Sequence, residues 1–208
     1  MNALELRRNK VIEGAKSILK TRDYSLLEEY YNEELAHYDL IGEKVDKKDK
    51  KKQRIIIRIP DDDPVGVTKL REFKEFIDSK EGFQESILLA LSKYTHYTKK
   101  EAEEAGIETF SIKFPFFDLF QHELVPTHEF ATEAEIQEII DKYAIDVKQL
   151  PKILVTDPAV QLLGAKIGDV VKIIRESPTA GKYVVYRYCI FINDLLNFCF
   201  GCKFMCGY

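Results

Sequence analysis

The sequence predicts an α/β domain over residues 1–118 and a small α+β domain over residues 119–190. In the first part, strand-like apolar runs alternate with segments of helical periodicity, which is typical of a layered α/β domain. In the second part, short capped helices precede two β-rich runs. A chain of 208 residues with 45% hydrophobic positions can bury one or two cores. We place the domain join near residues 116–121, and residues 191–208 form an apolar extension that contains cysteines.

Two helices are the first elements predicted. Val11 and Ile18 belong to a set of apolar residues at helical spacing. Ser25 and Glu28 match a capping box, in which the serine hydroxyl accepts a hydrogen bond from a backbone amide and the glutamate side chain accepts one from the amide of the cap residue. We therefore expect a second helix over residues 25–38.

Strands and helices then alternate as far as residue 114. A charged run at residues 44–54 precedes them. The predicted elements are a strand at 55–59, a helix at 67–77, a buried strand at 87–91, a helix capped by Thr98 and ended by Gly106, and a strand at 107–114.

Local signals define the elements of the second domain. Thr132 and Glu135 form a capping box that opens an amphipathic helix, and Asp157-Pro158 supplies an N-cap with proline at the first helical position. A brief strand at 153–155 lies between them. Gly164 ends the second helix, and Gly168-Asp169 makes a turn. Residues 170–175 and 182–190 are predicted to pair, with a projecting loop at 176–181.

Charge and cysteine content limit the classes of function. The net charge of −4 excludes general attraction to nucleic acid, so any DNA contact must come from a local basic patch. Residues 1–20 lack the apolar core of a signal peptide, and we expect an intracellular protein. The four cysteines do not form a spaced secreted framework, which favours free thiols. We expect no bound cofactor or metal.

Several short blocks occur in one order in the second domain. They are His122-Glu123-Leu124-Val125-Pro126 with His128, Leu150-Pro151-Lys152-Ile153, Asp157-Pro158, Gly164, GDVVKIIR at 168–175, and Thr179-Ala180-Gly181 leading to Tyr186-Arg187. One block alone would be a weak signal, but together they span about a third of the chain.

These blocks resemble the C-terminal domain of the fifth-largest subunit of eukaryotic nuclear RNA polymerases, which has a smaller archaeal counterpart. The resemblance implies a non-catalytic polymerase subunit whose C-terminal assembly domain docks on the largest subunit and contacts the rest of the core. The N-terminal region is similar in layout to the family's jaw domain, which has a restriction-endonuclease-like core and lies beside downstream duplex DNA. Initiation factors are further partners that the resemblance implies, and it implies no membrane partner.

The resemblance also bears on origin. Archaeal relatives lack the jaw, so a two-domain chain resembles the eukaryotic form or a version from a large cytoplasmic DNA virus. The divergent jaw and the added extension favour the virus. A viral subunit would act in the host cytoplasm and be packaged in the virion, whereas a cellular one would act in the nucleus.

The candidate interface or domain-shaping residues all lie in the second domain. They are His122, Glu123, Pro126, Pro158, Gly164, Gly168, Arg175, Gly181, Tyr186 and Arg187. The prolines and glycines shape the backbone, while arginine and tyrosine are frequent interface anchors. The same residues could instead stabilise the domain, and we predict no catalytic residue.

A basic run in the first domain is the candidate DNA-proximal segment. It consists of Lys47, Lys48, Lys50, Lys51, Lys52 and Arg54. Lysines that neutralise phosphates release counterions and give sequence-independent affinity for a duplex. The interspersed Asp46 and Asp49 also suit an ordinary solvated loop, so both interpretations stay open.

Three alternative functions match parts of the sequence. Pro60-Asp61 with Glu72 and Lys74 matches the sequence motif of a metal-dependent nuclease, in which an acidic residue follows proline and an acid-x-Lys pair lies on the next strand. Glu72 and Lys74, however, lie in a pattern of helical period. Asp61 is more simply part of a solvated turn. Cys199 and Cys202, with the neighbouring cysteines, could ligate zinc, although no second well-formed pair exists. A free-standing module that binds transcription factors is the remaining alternative.

Overall fold

The structure is a computed structural model, and it describes residues 3–45, 51–80, 82–110, 114–115, 119–177 and 181–191. The chain divides into two compact units, Met1–Asp118 (unit 1) and Leu119–Tyr208 (unit 2). Each unit contains its own β-sheet. No helix within the described ranges is long and apolar enough to cross a membrane.

Unit 1 is a five-stranded mixed sheet with helices on both faces. Its elements are α1 (Ala3–Thr21), β1 (Ser25–Asn32), β2 (His37–Val45), β3 (Lys52–Pro60), α2 (Val67–Ser79), β4 (Phe83–Leu89), α3 (His96–Ala105) and β5 (Glu108–Phe110). The strand order is β1-β2-β3-β4-β5. The first three strands are antiparallel, and β4 and β5 join in parallel. The α/β prediction for this region is confirmed.

The central strand β3 is buried on both faces, as its run of apolar residues predicts. Ile56 belongs to a core cluster with Leu70 and Phe73 of α2. Ile55, one residue earlier, points to the opposite face, where the methyl groups of Leu19 and Ile55 meet at Gly42. The sheet is therefore packed between α1 on one side and α2 and α3 on the other.

The predicted second helix is wrong. Residues 25–32 form β1, which pairs with β2 in a hairpin from Ser25↔Glu43 to Asn32↔His37. The side-chain Oδ1 of Asn32 accepts from the amides of Glu34 and Leu35 and forms the turn. Pairing of β1 with β2, which itself pairs with β3, outweighs the capping-box pattern, because that pattern needs only two matching residues.

Three smaller predictions in unit 1 also need correction. The charged run at residues 44–54 is partly strand, because β2 continues to Val45 and β3 begins at Lys52. The buried strand predicted at 87–91 begins earlier, at Phe83. Thr98 is not the N-cap of α3; Thr95 is, and its hydroxyl accepts from the amide of Thr98. The helix end at Gly106 is confirmed, with a left-handed φ of 71°.

Unit 2 is a small α+β module. Its elements are a 3-10 turn at Leu119–Gln121, β6 (Thr127–Phe130), α4 (Glu133–Tyr143), a second 3-10 turn at Val147–Gln149, β7 (Lys152–Leu154), α5 (Pro158–Leu163), β8 (Val170–Ser177) and β9 (Gly181–Ile190). The strand order is β6-β8-β9-β7. Both capped helices and the β8–β9 pair are as predicted, and β6 was not predicted.

The core of unit 2 lies on one face of this sheet. Val171 and Ile173 of β8 and Cys189 of β9 pack with Val160 of α5. The paired residues Val171↔Arg187 and Ile173↔Val185 show that alternate residues of both strands share this face. The β8–β9 pairing extends to Ser177↔Gly181, so part of the predicted projecting loop is strand, and residues 178–180 lie outside the described ranges.

Candidate functional site

The candidate residues at the start of unit 2 make local contacts. Nδ1 of His122 accepts from the amide of Leu124 at 3.2 Å, and His122 and Glu123 are exposed. His128 donates to the carbonyl of Pro126, with 2.8 Å between Nδ1 and O. Burial lowers the pKa of His128, and nearby Arg175 contributes in the same direction. This segment presents Leu124, which is 83% exposed, at the surface of unit 2.

Pro158, Gly164 and Gly168 shape the backbone around α5. The Asp157 carboxylate accepts from the amide of Ala159 at 2.9 Å, and Pro158 occupies the first turn. Gly164 has a φ of 73° and Gly168 a φ of 99°, both in the left-handed region that glycine adopts without a side-chain clash. These positions hold α5 against the sheet.

Gly181 starts β9 with a φ of 70°. It pairs with Ser177, the last residue of β8. A residue with a side chain would be strained in this conformation. Gly181 therefore sets the direction in which the chain enters β9.

Arg175, Tyr186 and Arg187 do not share one surface. Arg175 pairs with Tyr183, and Arg187 pairs with Val171, so both arginines lie on the α5 face of the sheet. Tyr186 pairs with Lys172 and lies on the opposite face. Strand register decides these positions.

Arg187 also has a structural role. Its Nη1 donates to the carbonyl of Lys152 at 3.0 Å and ties β9 to β7. Arg175 is exposed, and no hydrogen bond or ion pair of its guanidinium occurs within the described residues. Arg175 is thus the arginine better placed to contact a partner.

An ion pair on the opposite face of the sheet has no signal in the sequence. Nζ of Lys172 lies 2.6 Å from Oε1 of Glu135, the residue that completes the Thr132 capping box. Hydrogen bonds from Lys172 and Thr132 lower the pKa of Glu135 to about 2. This contact joins the start of α4 to β8.

The basic run of unit 1 is partly neutralised. Nζ of Lys52 lies 2.8 Å from Oε1 of Glu43, and Nε of Arg54 lies 3.2 Å from Oε2 of the same carboxylate. Lys51 is exposed. Lys47, Lys48 and Lys50 lie outside the described residues.

The residues of the nuclease-like motif do not form a common site. Glu72 and Lys74 lie on α2 rather than on a strand, as their helical period predicts, and Glu72 pairs with Lys69. Asp61 is not a solvated turn residue, because it accepts from Arg8 at 2.6 Å and Tyr31 at 2.7 Å. Across the described part of the chain, no group of three or more His, Cys, Asp and Glu side chains could hold a metal ion.

Cys189 is the one cysteine among the described residues. Cys189 is buried in the core of unit 2, and burial raises the pKa of its thiol to about 11. A buried thiol with a raised pKa is unreactive. Cys199, Cys202 and Cys206 lie outside the described residues.

Comparison with known proteins identifies the family. Residues 117–189 match the family described as RNA polymerase Rpb5, C-terminal domain. The DNA-directed RNA polymerase subunit Rpo5 of Thermococcus onnurineus is 56% identical over 71 residues, which are 34% of this chain and 87% of that protein. The chain belongs to the Rpb5/Rpo5 family.

Other Rpb5/Rpo5 relatives differ in how much of the chain they match. The Rpo5 subunit of Methanocaldococcus jannaschii is 52% identical over 69 residues, 33% of this chain and 88% of that protein. The Dictyostelium discoideum protein named DNA-directed RNA polymerases I, II, and III subunit rpabc1 is 28% identical over 194 residues, 88% of this chain and 98% of that protein. The matched family segment contains all ten candidate residues of unit 2.

Proposed function

We propose that this protein is a non-catalytic subunit of a multisubunit DNA-directed RNA polymerase. The observation that carries the proposal is the match of residues 117–189 to the Rpb5 C-terminal domain family, together with 56% identity over 71 residues to a relative named as a DNA-directed RNA polymerase subunit. These residues form the four-stranded sheet of unit 2 with its two helices. The protein contributes to assembly and cleft geometry and supplies no catalytic group.

Unit 2 is the assembly domain, and it docks on the largest polymerase subunit. Exposed apolar side chains support a protein interface here: Leu124, Phe130, Tyr183 and Val184 are all at least 43% exposed. Arg175 lies on the same face as Tyr183, its cross-strand partner. Interfaces favour an aromatic residue and an arginine in such a position.

Unit 1 is the jaw, which braces the downstream side of the DNA cleft. The mixed sheet with helices on both faces supports a restriction-endonuclease-like core without nuclease chemistry. Any duplex contact comes from the basic run, in which Lys52 and Arg54 share the one carboxylate of Glu43 and so keep a net positive charge. Such contacts would be to phosphate and would carry no sequence preference.

The polymerase belongs to a large cytoplasmic DNA virus under this proposal. The divergent sequence of the jaw and the extension at 191–208 support that origin, and the site of action is then the host cytoplasm and the virion. A cellular enzyme would place the protein in the nucleus. Initiation factors would bind to the assembled enzyme.

Binding of the full-length protein to the recombinant largest subunit from the same source tests the docking step. Co-elution in gel filtration at equimolar ratio is the expected result. A folded protein that elutes separately from a folded largest subunit would contradict docking and favour a free-standing transcription-factor-binding module.

A further inference from the structure

β1 is the edge strand of the five-stranded sheet as the described residues form it. It pairs with β2 on one side, and within the described ranges no strand pairs with its other side. Its burial pattern is almost entirely exposed over Ser25–Asn32. A bulge at Leu27 interrupts the register, but pairing is regular from Glu28 to Asn32. Backbone groups along a regular edge can pair with an added strand.

The charged side chains of β1 and its turn are all acidic, whereas Arg8, Lys16 and Lys20 of α1 lie on the face that carries Leu26 and Tyr31. Between Arg22 and Lys44 the sequence contains acidic residues and no Lys or Arg. Glu28, Glu33 and Glu34 are exposed, and none of them forms an ion pair within the described part of the chain. A basic partner is therefore favoured, while nucleic acid and a second copy of the same edge are repelled.

The two faces of β1 differ in chemistry. On the α2 side, Glu28 is followed by Tyr30, whose hydroxyl donates to Asp39 at 3.2 Å. Glu28 lies on this side because it pairs with Ile41, which packs in the core beneath α2, and its carboxylate has no ion-pair partner among the described residues. On the α1 side, Glu29 is already paired with Lys16 at 2.7 Å.

Apolar surface remains on the α1 side. Leu26 lies opposite Gly42, which faces α1, and Leu26 is 44% exposed. Tyr31 on the same side is 39% exposed. Alternate side chains of an added strand point to opposite faces of the sheet. One set would therefore lie beside the Glu28 carboxylate, and the other would lie beside the apolar surface of Leu26 and Tyr31.

We propose that the outer edge of β1 binds an extended protein segment in which basic and apolar side chains alternate, by adding it to the sheet as a sixth strand. The basic side chains lie beside Glu28, and the apolar ones cover Leu26 and Tyr31. This surface is on unit 1, so it does not depend on the docking of unit 2 or on the polymerase assignment.

A labelled synthetic peptide of alternating lysine and valine is the probe, used with the full-length protein. Fluorescence anisotropy measures binding, and hydrogen exchange measures protection of the β1 amides. Comparison peptides carry glutamate in place of lysine, or a central proline that blocks strand pairing. The expected result is protection of β1 by the lysine peptide, with weaker binding of both comparison peptides.

Two variants with the same change in charge distinguish binding at the β1 edge from attraction of the peptide to the net charge of the protein. Glu28→Lys should weaken binding of the lysine peptide about fivefold, because a cross-strand attraction becomes a repulsion. Glu104→Lys, at an exposed position of α3, should bind like the wild type. Circular dichroism checks that both variants are folded.

Four outcomes would overturn the proposal. They are equal loss of binding in both variants, equal binding of the proline peptide, unchanged β1 exchange at saturating peptide, and a dimer in sedimentation whose β1 amides are already protected. The last outcome would show that a second copy occupies the edge.

Discussion

Asp39 and Arg58 form a bidentate ion pair in the interior of unit 1. Nε of Arg58 donates to Oδ1 of Asp39 at 2.8 Å, and Nη2 donates to Oδ2 at 2.7 Å. The guanidinium also lies 4.8 Å from the Phe73 ring centre and 4.6 Å from that of Phe76. The pair joins β2 to β3 and packs against α2.

Removal of the arginine should destabilise unit 1 strongly. Arg58→Ala leaves the Asp39 carboxylate buried without its main partner, which typically costs about 3–5 kcal/mol of unfolding free energy. Urea unfolding followed by circular dichroism measures this change. Arg71→Ala, which breaks the exposed pair with Glu101, is the matched control and should have little effect. Similar midpoints for the two variants would show that the buried pair is not needed.

The Glu135–Lys172 contact predicts an acid-dependent loss of stability in unit 2. The pKa of Glu135 is lowered from 4.5 to about 2, first by the hydrogen bond from Lys172 and then by those from Thr132. A lowered folded-state pKa means that the stabilisation is present above pH 4.5 and is lost as the pH falls towards 2.

NMR titration of the Glu135 carboxyl group checks this directly. In Lys172→Met the midpoint should move up towards 4.5 but remain below it, because the Thr132 hydrogen bonds persist. An unchanged midpoint would show that Lys172 does not set the pKa.

A side chain at Gly42 should destabilise unit 1. A Cβ at this position would lie 2.8 Å from Cδ2 of Leu19 and 2.9 Å from Cγ2 of Ile55, so Gly42→Ala overpacks the α1 face and should cost about 1–3 kcal/mol. Gly66→Ala is the control, since no atom of the described residues lies within 4 Å of a Cβ there. Equal unfolding midpoints in urea for the two variants would contradict the close approach of α1.

Local signals explain why unit 2 was largely predictable. The Thr132 capping box and the Asp157 cap depend on residues within one helical turn, and the structure forms both. Unit 1 was less predictable, because β1 pairs with β2, and β2 is in turn stabilised by pairing with β3 and by the contact of Asp39 with Arg58, which are distant in sequence. The Ser25 pattern could not reveal that competition.

The candidate site was predictable only as a set of residues. That Arg175 and Arg187 share a face while Tyr186 does not follows from the β8–β9 register, which the sequence does not specify residue by residue. Partial neutralisation of the basic run depends on Glu43, which lies across the β2–β3 pair from Arg54. Both features depend on strand register and are seen only in the folded chain.

Arg175 and Arg187 should behave differently when mutated. Arg175→Ala should leave the unfolding free energy within about 0.5 kcal/mol of wild type and weaken binding to the largest polymerase subunit at least about tenfold. Arg187→Ala should lower stability by about 1 kcal/mol, because the hydrogen bond to the Lys152 carbonyl is lost.

Calorimetric titration and urea unfolding of the same samples separate the two effects. Wild-type affinity in folded Arg175→Ala would remove Arg175 from the interface. Unchanged stability in Arg187→Ala would show that its bond to Lys152 is dispensable.

Gentle affinity purification of the tagged protein from the cells or virions that naturally contain it tests the polymerase assignment most directly. Mass spectrometry of the purified material should find the two largest polymerase subunits in stoichiometric amounts, together with RNA-synthesis activity. The identity of those subunits would also distinguish a viral enzyme from a cellular one. Recovery of the soluble protein without them would contradict its role as a polymerase subunit.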